Sequence, residues 1–371
     1  IWVVAGNLTG AGSINANGGT SYNNDLTSAS GGGGGRIAIE YTTSSFSGAI
    51  TAFGKTGYAY GGAGTIYLKQ GTNNGDLIVD NNSVAGADTL QLAGTNFTFD
   101  NVTITKSAKY VIPDTSSLAA SVSLSANSVD ATITVNSGGS MTLPASQNSL
   151  GYFSIANSGT ANVSQSNFSI SNGTITNNGT ITGISNLTLS SVTFYQNGTL
   201  TGITDLIVGA SSTFEFQNLT PSTPFNLNSL TIQSSGVLTH KGNSSTEAYT
   251  LNLNISGNLD VQSGGSINLN SKGYTGTSGN GRGPGAGGGG DINQRGSGGG
   301  HGGKGASTTT HAGGTTYDSI TQPAMIGSSG GTCSRAAYGG AGGGAAKMVV
   351  GGTLTLEGAL TAVGGNGITD K

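Results

Sequence analysis

The sequence predicts an all-β fold, a β-solenoid whose coils are interrupted by glycine-rich excursions. Three observations carry this. Ile, Leu and Val alternate with Thr, Ser and Asn almost throughout, which is the two-residue period of strands. A unit recurs: Asn178-Gly179-Thr180-Ile181-Thr182-Gly183-Ile184 returns 19 residues later as Asn197-Gly198-Thr199-Leu200-Thr201-Gly202-Ile203. Two or three strands of about 4–5 residues in a period of about 20 make one solenoid coil. Asn-Gly and Ser-Gly pairs separate the strands, where a sharp corner needs positive φ.

Taken in order, each element is strand, glycine segment, strand. "GSINANGG" (Gly12–Gly19) leads to "GGGGGRIAIEY" (Gly31–Tyr41), and "GAITAFGKTG" (Gly48–Gly57) to "GGAGTIYLKQG" (Gly61–Gly71). The middle carries the 19-residue units. "GSINLNSKGYTG" (Gly265–Gly276) leads, after a long excursion, to "GGAGGGAAKMVVGG" (Gly339–Gly352). No segment has a capped 3.6-residue apolar period; the nearest, Ser117–Ser128, alternates as a strand does. The expected organisation is a solenoid body over 1–272, a glycine-rich insertion over 273–346, and terminal solenoid strands over 347–371. More than a third of the insertion is glycine, so ordering it alone costs much entropy. A neighbour, or its own glycine-rich sheet, is expected to order it.

Composition narrows the function classes. Only 8% of residues are charged and the formal net charge is −3, which gives no electrostatic footprint for nucleic acid or an anionic membrane. No run of about 20 apolar residues offers a membrane-spanning helix. One cysteine, Cys333, excludes an intrachain disulfide. The first residues, "IWVVAGNLTG", read as the interior of a strand, and the expectation is a processed piece of a longer precursor.

The ends resemble each other. "GTLTLEGALTAVGGNG" (Gly352–Gly367) is similar to "GNLTGAGSINANGG" (Gly6–Gly19), so the chain stops at Lys371 in register with a next copy. Either the chain is one unit of a tandem array or separate subunits stack end to end. Neither end looks like a polar cap, and an uncapped solenoid exposes strand edges, which favours axial stacking.

The "NGTITGI" and "NGTLTGI" units, "SGNLDVQSGGSINL" (Ser256–Leu269) and "GGTLTLEGALTAVGG" (Gly351–Gly365) resemble large secreted bacterial parallel β-helix proteins: adhesins, autotransporter passengers and filamentous-haemagglutinin-like exoproteins. The resemblance covers most of the chain through generic motifs. It implies a right-handed parallel β-helix outside the cell or on its surface, and it transfers no catalytic residue.

Several features invite chemistry. Gly298-x4-Gly303-Lys304 opens like a phosphate loop, but Gly305 follows where Ser or Thr is needed, and no helix-forming sequence comes after. His301, His311 and Cys333 could hold a metal only if the fold brought them together, because spacings of 10 and 22 residues match no zinc template. Acids are scattered; Asp76 and Asp80 could share a strand face, but no dense cluster suits a glycosidase or a calcium-dependent lyase. Thr-x-Thr triplets at 174–176, 180–182 and 199–201 could order water on a flat face if they stacked in register, but "NLTLSS" and "DLIVGA" interrupt them. Inward-facing Asn is expected to form amide ladders from coil to coil.

The expected function is a non-enzymatic extracellular structural or adhesive protein, building a stiff filament by end-to-end stacking, with no cofactor and no metal. Its expected partner is itself, with surface polysaccharide or another cell surface as the foreign target. The alternative is a carbohydrate-binding or polysaccharide-degrading β-helix. The candidate contact residues are Trp2, an amphipathic ring near an open end, His301 and Lys304 at the tip of the longest glycine segment, and Tyr58, Tyr60, Tyr274 and Tyr338 beside glycine segments.

Overall fold

The computed structural model describes residues 1–20, 29–126, 130–290, 294–333 and 337–369; Lys371 lies outside them. The fold is all-β, with long sheets of regularly stacked parallel strands, as in a parallel β-helix, and no helix among the described residues. Two compact units divide it, Ile1–Ile203 and Thr204–Lys371.

In the first unit, strands Trp2–Gly10, Arg36–Phe46 and Thr65–Gln70 stack in parallel over a small core of Ile37, Ile39, Ala52 and Ile66. One antiparallel pairing follows. Thr65–Gln70 turns through Gly71 and Gly75, both at positive φ, onto Asp76–Asp80. Opposite Ile66 stands Ile78, still packed on that first core. Its neighbours Leu77 and Val79 point through the other face of the sheet and are buried there. Strand direction and core face thus reverse together. That is a half-turn about the stacking axis, so the winding sense is kept. Parallel stacking then continues through Asn96–Thr105, Ser117–Ser125, Ser140–Thr142, Thr160–Asn162, Thr180–Thr182 and Thr199–Thr201.

Two of the three Thr-x-Thr triplets, 180–182 and 199–201, are not interrupted in space, whereas 174–176 lies in a different sheet. The intervening "NLTLSS" belongs to a second sheet, in which Asn167–Asn177 lies on Asn186–Gln196. Thr160, Thr180 and Thr199 therefore stand in one rank. The sequence separates what alternate sheets bring together.

The corners follow expectation at Asn74-Gly75, Ser137-Gly138 and Ser263-Gly264, whose glycines are at positive φ, and differ from it in the 19-residue units. Gly179 and Gly198 of the Asn-Gly pairs are not at positive φ; Gly183 and Gly202 are, with Ser191, Ser211, Ser235 and Ser271. Gly179 and Gly198 serve close stacking. A Cβ on Gly198 would lie 2.0 Å from the Gly179 carbonyl oxygen, and one on Gly179 2.1 Å from that of Gly159.

The inward Asn ladder is present. Asn157 donates to Asn177 (2.9 Å) and Asn177 to Gln196 (3.0 Å), all three buried. The same amides also donate to the carbonyl oxygens of Thr180 and Thr199.

The second unit is three-sided. Strands Phe225–Leu227, Ser229–Ile232 and Val237–His240 make one coil; Leu251–Ile255, Leu259–Val261 and Ser266–Asn268 lie on it; Ala346–Val350, Leu354–Leu356 and Ala359–Thr361 lie on that. The glycine-rich stretch is inserted between the second and third of these coils. Leu230, Ile232, Leu238, Leu253, Leu259 and Ile267 fill the interior.

His240 is buried in this unit. Its Nδ1–H donates to the Lys241 carbonyl (2.7 Å), and its Nε2 has no hydrogen-bond partner. Burial, with Lys272 nearby, pushes its pKa from 6.5 down to about 4, against the pull of the Lys241 bond. The unfolded chain therefore takes up a proton first as pH falls, so stability is full above about pH 6.5 and is lost towards pH 4, by about 3 kcal/mol. Unfolding free energies from urea titrations at pH 7.5 and 4.5 should differ by about 2.5 kcal/mol, and His240→Leu should flatten the difference. An unchanged pH profile in that variant would contradict the assignment.

Candidate functional site

The glycine segments have no strand pattern, yet their amides are engaged. Gly327 donates to Gly343 and Gly330 to Gly340; Ser329 donates to Arg282 and Thr332 to Gly279; Gly331 donates to Ser297. Partners change from one residue to the next and return every third. A polyproline II helix has three residues per turn and no internal bonds, so its successive N–H groups radiate to different neighbours. The first unit repeats the design: Gly31 donates to Ala59 and Gly34 to Gly62, while Gly32 donates to Gly19 and Gly35 to Ala16. Both glycine-rich regions are thus ordered largely by their own segments. At the closest approaches the packing leaves no room for a side chain: a Cβ on Gly342 would lie 1.8 Å from the Gly327 carbonyl oxygen, and one on Gly276 1.5 Å from that of Gly339.

This geometry decides the phosphate-loop question. Within "GGGHGGKG" (Gly298–Gly305), Gly298 donates to Ala306, Gly300 to Gly285, His301 to Gly303 and Gly305 to Gly314. Those amides face neighbouring backbone, and no helix follows. Lys304 is exposed at the tip, between residues with open space around Gly302 and Gly303.

The three candidate metal ligands are divided. His301 Nε2 lies 3.3 Å from Asp318 Oδ2, out of line for a hydrogen bond, and its ring meets Tyr317 edge-on. Burial would raise the Asp318 carboxyl, but the amides of Met325, Ser319 and Ala324, with His301, outweigh it and hold it below the usual range. His311 Nδ1 instead stands 3.9 Å from the buried Cys333 Sγ. No group of three His, Cys, Asp or Glu able to hold a metal occurs among the described residues. Sequence reasoning missed the His301–Asp318 pair, because only the bundle's fold joins two residues 17 apart.

Asp76 and Asp80 do share a strand face, but each is engaged. Asp76 accepts from Asn101 (2.8 Å), and Asp80 from Lys106 (2.9 Å). Tyr274 is buried with Ile326 and Ala345, away from any surface. Tyr58, Tyr60 and Tyr338 are exposed. Tyr60 borders a groove of about 530 Å³ in the first unit. A groove of about 630 Å³ in the second is lined mostly by glycine, with His301, Ser328, Asn366 and two alanines, and has no aromatic ring for a sugar to stack on.

The terminal coils are the other feature. Along the first coil Ile1 is 54% exposed, and Val3, Leu8 and Ile14 are partly buried against the first core. On the outer face of the same strand Trp2 is 76% exposed. At the last coil Leu354, Leu356 and Leu360 stand over buried Leu259, Val261 and Ile267 and are themselves about half exposed. Compared with family models, curated proteins and solved structures, the chain matches none.

Proposed function

We propose that the protein is a non-enzymatic extracellular structural or adhesive unit that extends by stacking one coil on another, copy upon copy. The observation that supports this best is the parallel stacking of coil on coil within each unit, tied by backbone ladders and, in the first, by the buried Asn157–Asn177–Gln196 amides. Strands of this kind add further strands in the same register. The surface setting rests on the low charge, the Asn/Thr-rich ladders and the resemblance to secreted β-helix proteins. The compact glycine bundles supply lateral surface made of backbone, suited to contact with a neighbouring copy or a cell-surface target.

The test is a blocked edge. Leu354→Lys with Leu360→Lys places two charges where the next coil would lie, without touching the buried layer beneath. Rods of constant repeat are expected from the unaltered chain in negative-stain images, and isolated particles from the variant. Equal behaviour of the two would overturn the proposal.

A further inference from the structure

The groove beside Tyr60 in the first unit is built differently from the glycine-lined groove in the second. Gly31 and Gly34 donate to Ala59 and Gly62, and Ala87 donates to Tyr60, so the 59–64 segment lies between the other two. Buried residues 61–64 form the floor, with the 31–36 and 87–90 segments as walls. Five residues of extended backbone from Tyr60 to Thr65 give a length of about 15 Å. The volume, about 530 Å³, is that of a small-ligand site.

Four groups face this space. Tyr60 stands at one end with its ring exposed. At the other end Arg36 reaches across, donating to the Thr65 hydroxyl (3.4 Å) and the Leu90 carbonyl (3.1 Å), which holds the guanidinium in place. Asp88 is exposed on one wall and makes no ion pair among the described residues. The fourth is an amide. The Gly32 carbonyl accepts from Lys55, which does not line the groove, and a trans peptide turns the next N–H the opposite way. The Gly33 N–H therefore faces the groove, and it has no backbone partner among the described residues.

Gly33 carries a second, independent observation. A Cβ added at Gly31, Gly34, Gly61, Gly62 or Gly64 would lie 2.5 Å or less from a backbone carbonyl oxygen. At Gly33 the nearest atom is the Gly62 carbonyl oxygen at 3.6 Å, an ordinary contact, and φ is not positive. Neither packing nor backbone conformation requires glycine at this position. What a side chain there would fill is the groove.

An exposed ring offers a platform for the C–H face of a sugar. A free carboxylate accepts from sugar hydroxyls, and a fixed guanidinium and an outward amide donate to them. One positive and one negative group balance, so whatever an acidic sugar gained at Arg36 it would lose near Asp88. We infer that this groove binds a neutral oligosaccharide chain, stacked on Tyr60 and hydrogen-bonded to Asp88, Arg36 and the Gly33 amide. The inference goes beyond the stacking proposed above and does not need it, because every group belongs to one copy of the first unit.

The test is binding of the full chain to a microarray of neutral oligosaccharides of glucose, galactose, mannose and N-acetylglucosamine, with uronic-acid chains beside them, followed by calorimetric titration of the best binder. At least one neutral chain is expected to bind. Tyr60→Ala and Gly33→Leu should each weaken it about tenfold or more. Tyr58→Ala should leave affinity unchanged, since that ring is exposed nearby but does not line the groove. Thermal unfolding of each variant checks the fold; if Gly33→Leu unfolds, Tyr60→Ala and Asp88→Asn decide. No neutral chain bound at millimolar concentration, binding of uronic-acid chains alone, or affinity indifferent to Tyr60→Ala would each overturn the inference. A protein that binds the sugar but never assembles would overturn the stacking alone.

Discussion

Gly342→Ala is expected to destabilise the second unit by about 3 kcal/mol or more, whereas Gly302→Ala should change stability by no more than about 0.5 kcal/mol. The two glycines differ in surroundings rather than in local sequence. The added methyl at Gly342 meets the backbone of Gly327, with its carbonyl oxygen at 1.8 Å and its carbonyl carbon at 2.2 Å; at Gly302 nothing lies within 4 Å. Gly327 cannot retreat cheaply, because its amide is bonded to Gly343 and Gly342 itself donates to Tyr274. For a unit of this size about 3 kcal/mol corresponds to a fall in Tm of about 6–12 °C. Thermal unfolding of the two variants, side by side, checks the expectation. Similar Tm values would mean that the glycine segments are not packed against one another.

Asn177→Leu is the second substitution with a large effect. It removes the middle rung of the Asn157–Asn177–Gln196 ladder, leaving the Gln196 Oε1 atom without its donor and costing Asn157 one of its two acceptors. Both neighbours are buried, so neither group reaches water. Leaving buried polar groups unpaired costs more than the net strength of the bonds, and a network loses more than one pair does. About 2–4 kcal/mol of stability in the first unit should be lost. Asn178→Ala removes the neighbouring exposed Asn197–Asn178 contact and should cost less than about 0.5 kcal/mol. Chemical denaturation of both variants measures the contrast; equal losses would contradict a ladder that stabilises the coil stack.

Much of this architecture is legible in the sequence because strands write themselves in side chains. The alternation and the 19-residue repeat give the parallel stack, and the same spacing carries Asn177 to Gln196. Two things escape. The reversal at Gly71–Gly75 depends on one antiparallel pairing, and swapping the core face leaves the alternation of apolar residues unchanged. The glycine bundles escape for a deeper reason. Their order lies in a three-residue period of backbone bonds, and glycine has no side chain in which a period can show. Partners such as Gly273 and Gly342 are also far apart in the chain. For the same reason Lys304 and His301 look alike as polar residues in a glycine run, while the fold leaves Lys304 in solvent and sets His301 against Asp318 and Tyr317.

Sedimentation velocity of the purified chain over a rising concentration series tests copy-on-copy stacking most directly. Species at successive multiples of 36.4 kDa, shifting to larger sizes as concentration rises, are the expected result. A single 36.4 kDa species at every concentration would contradict it.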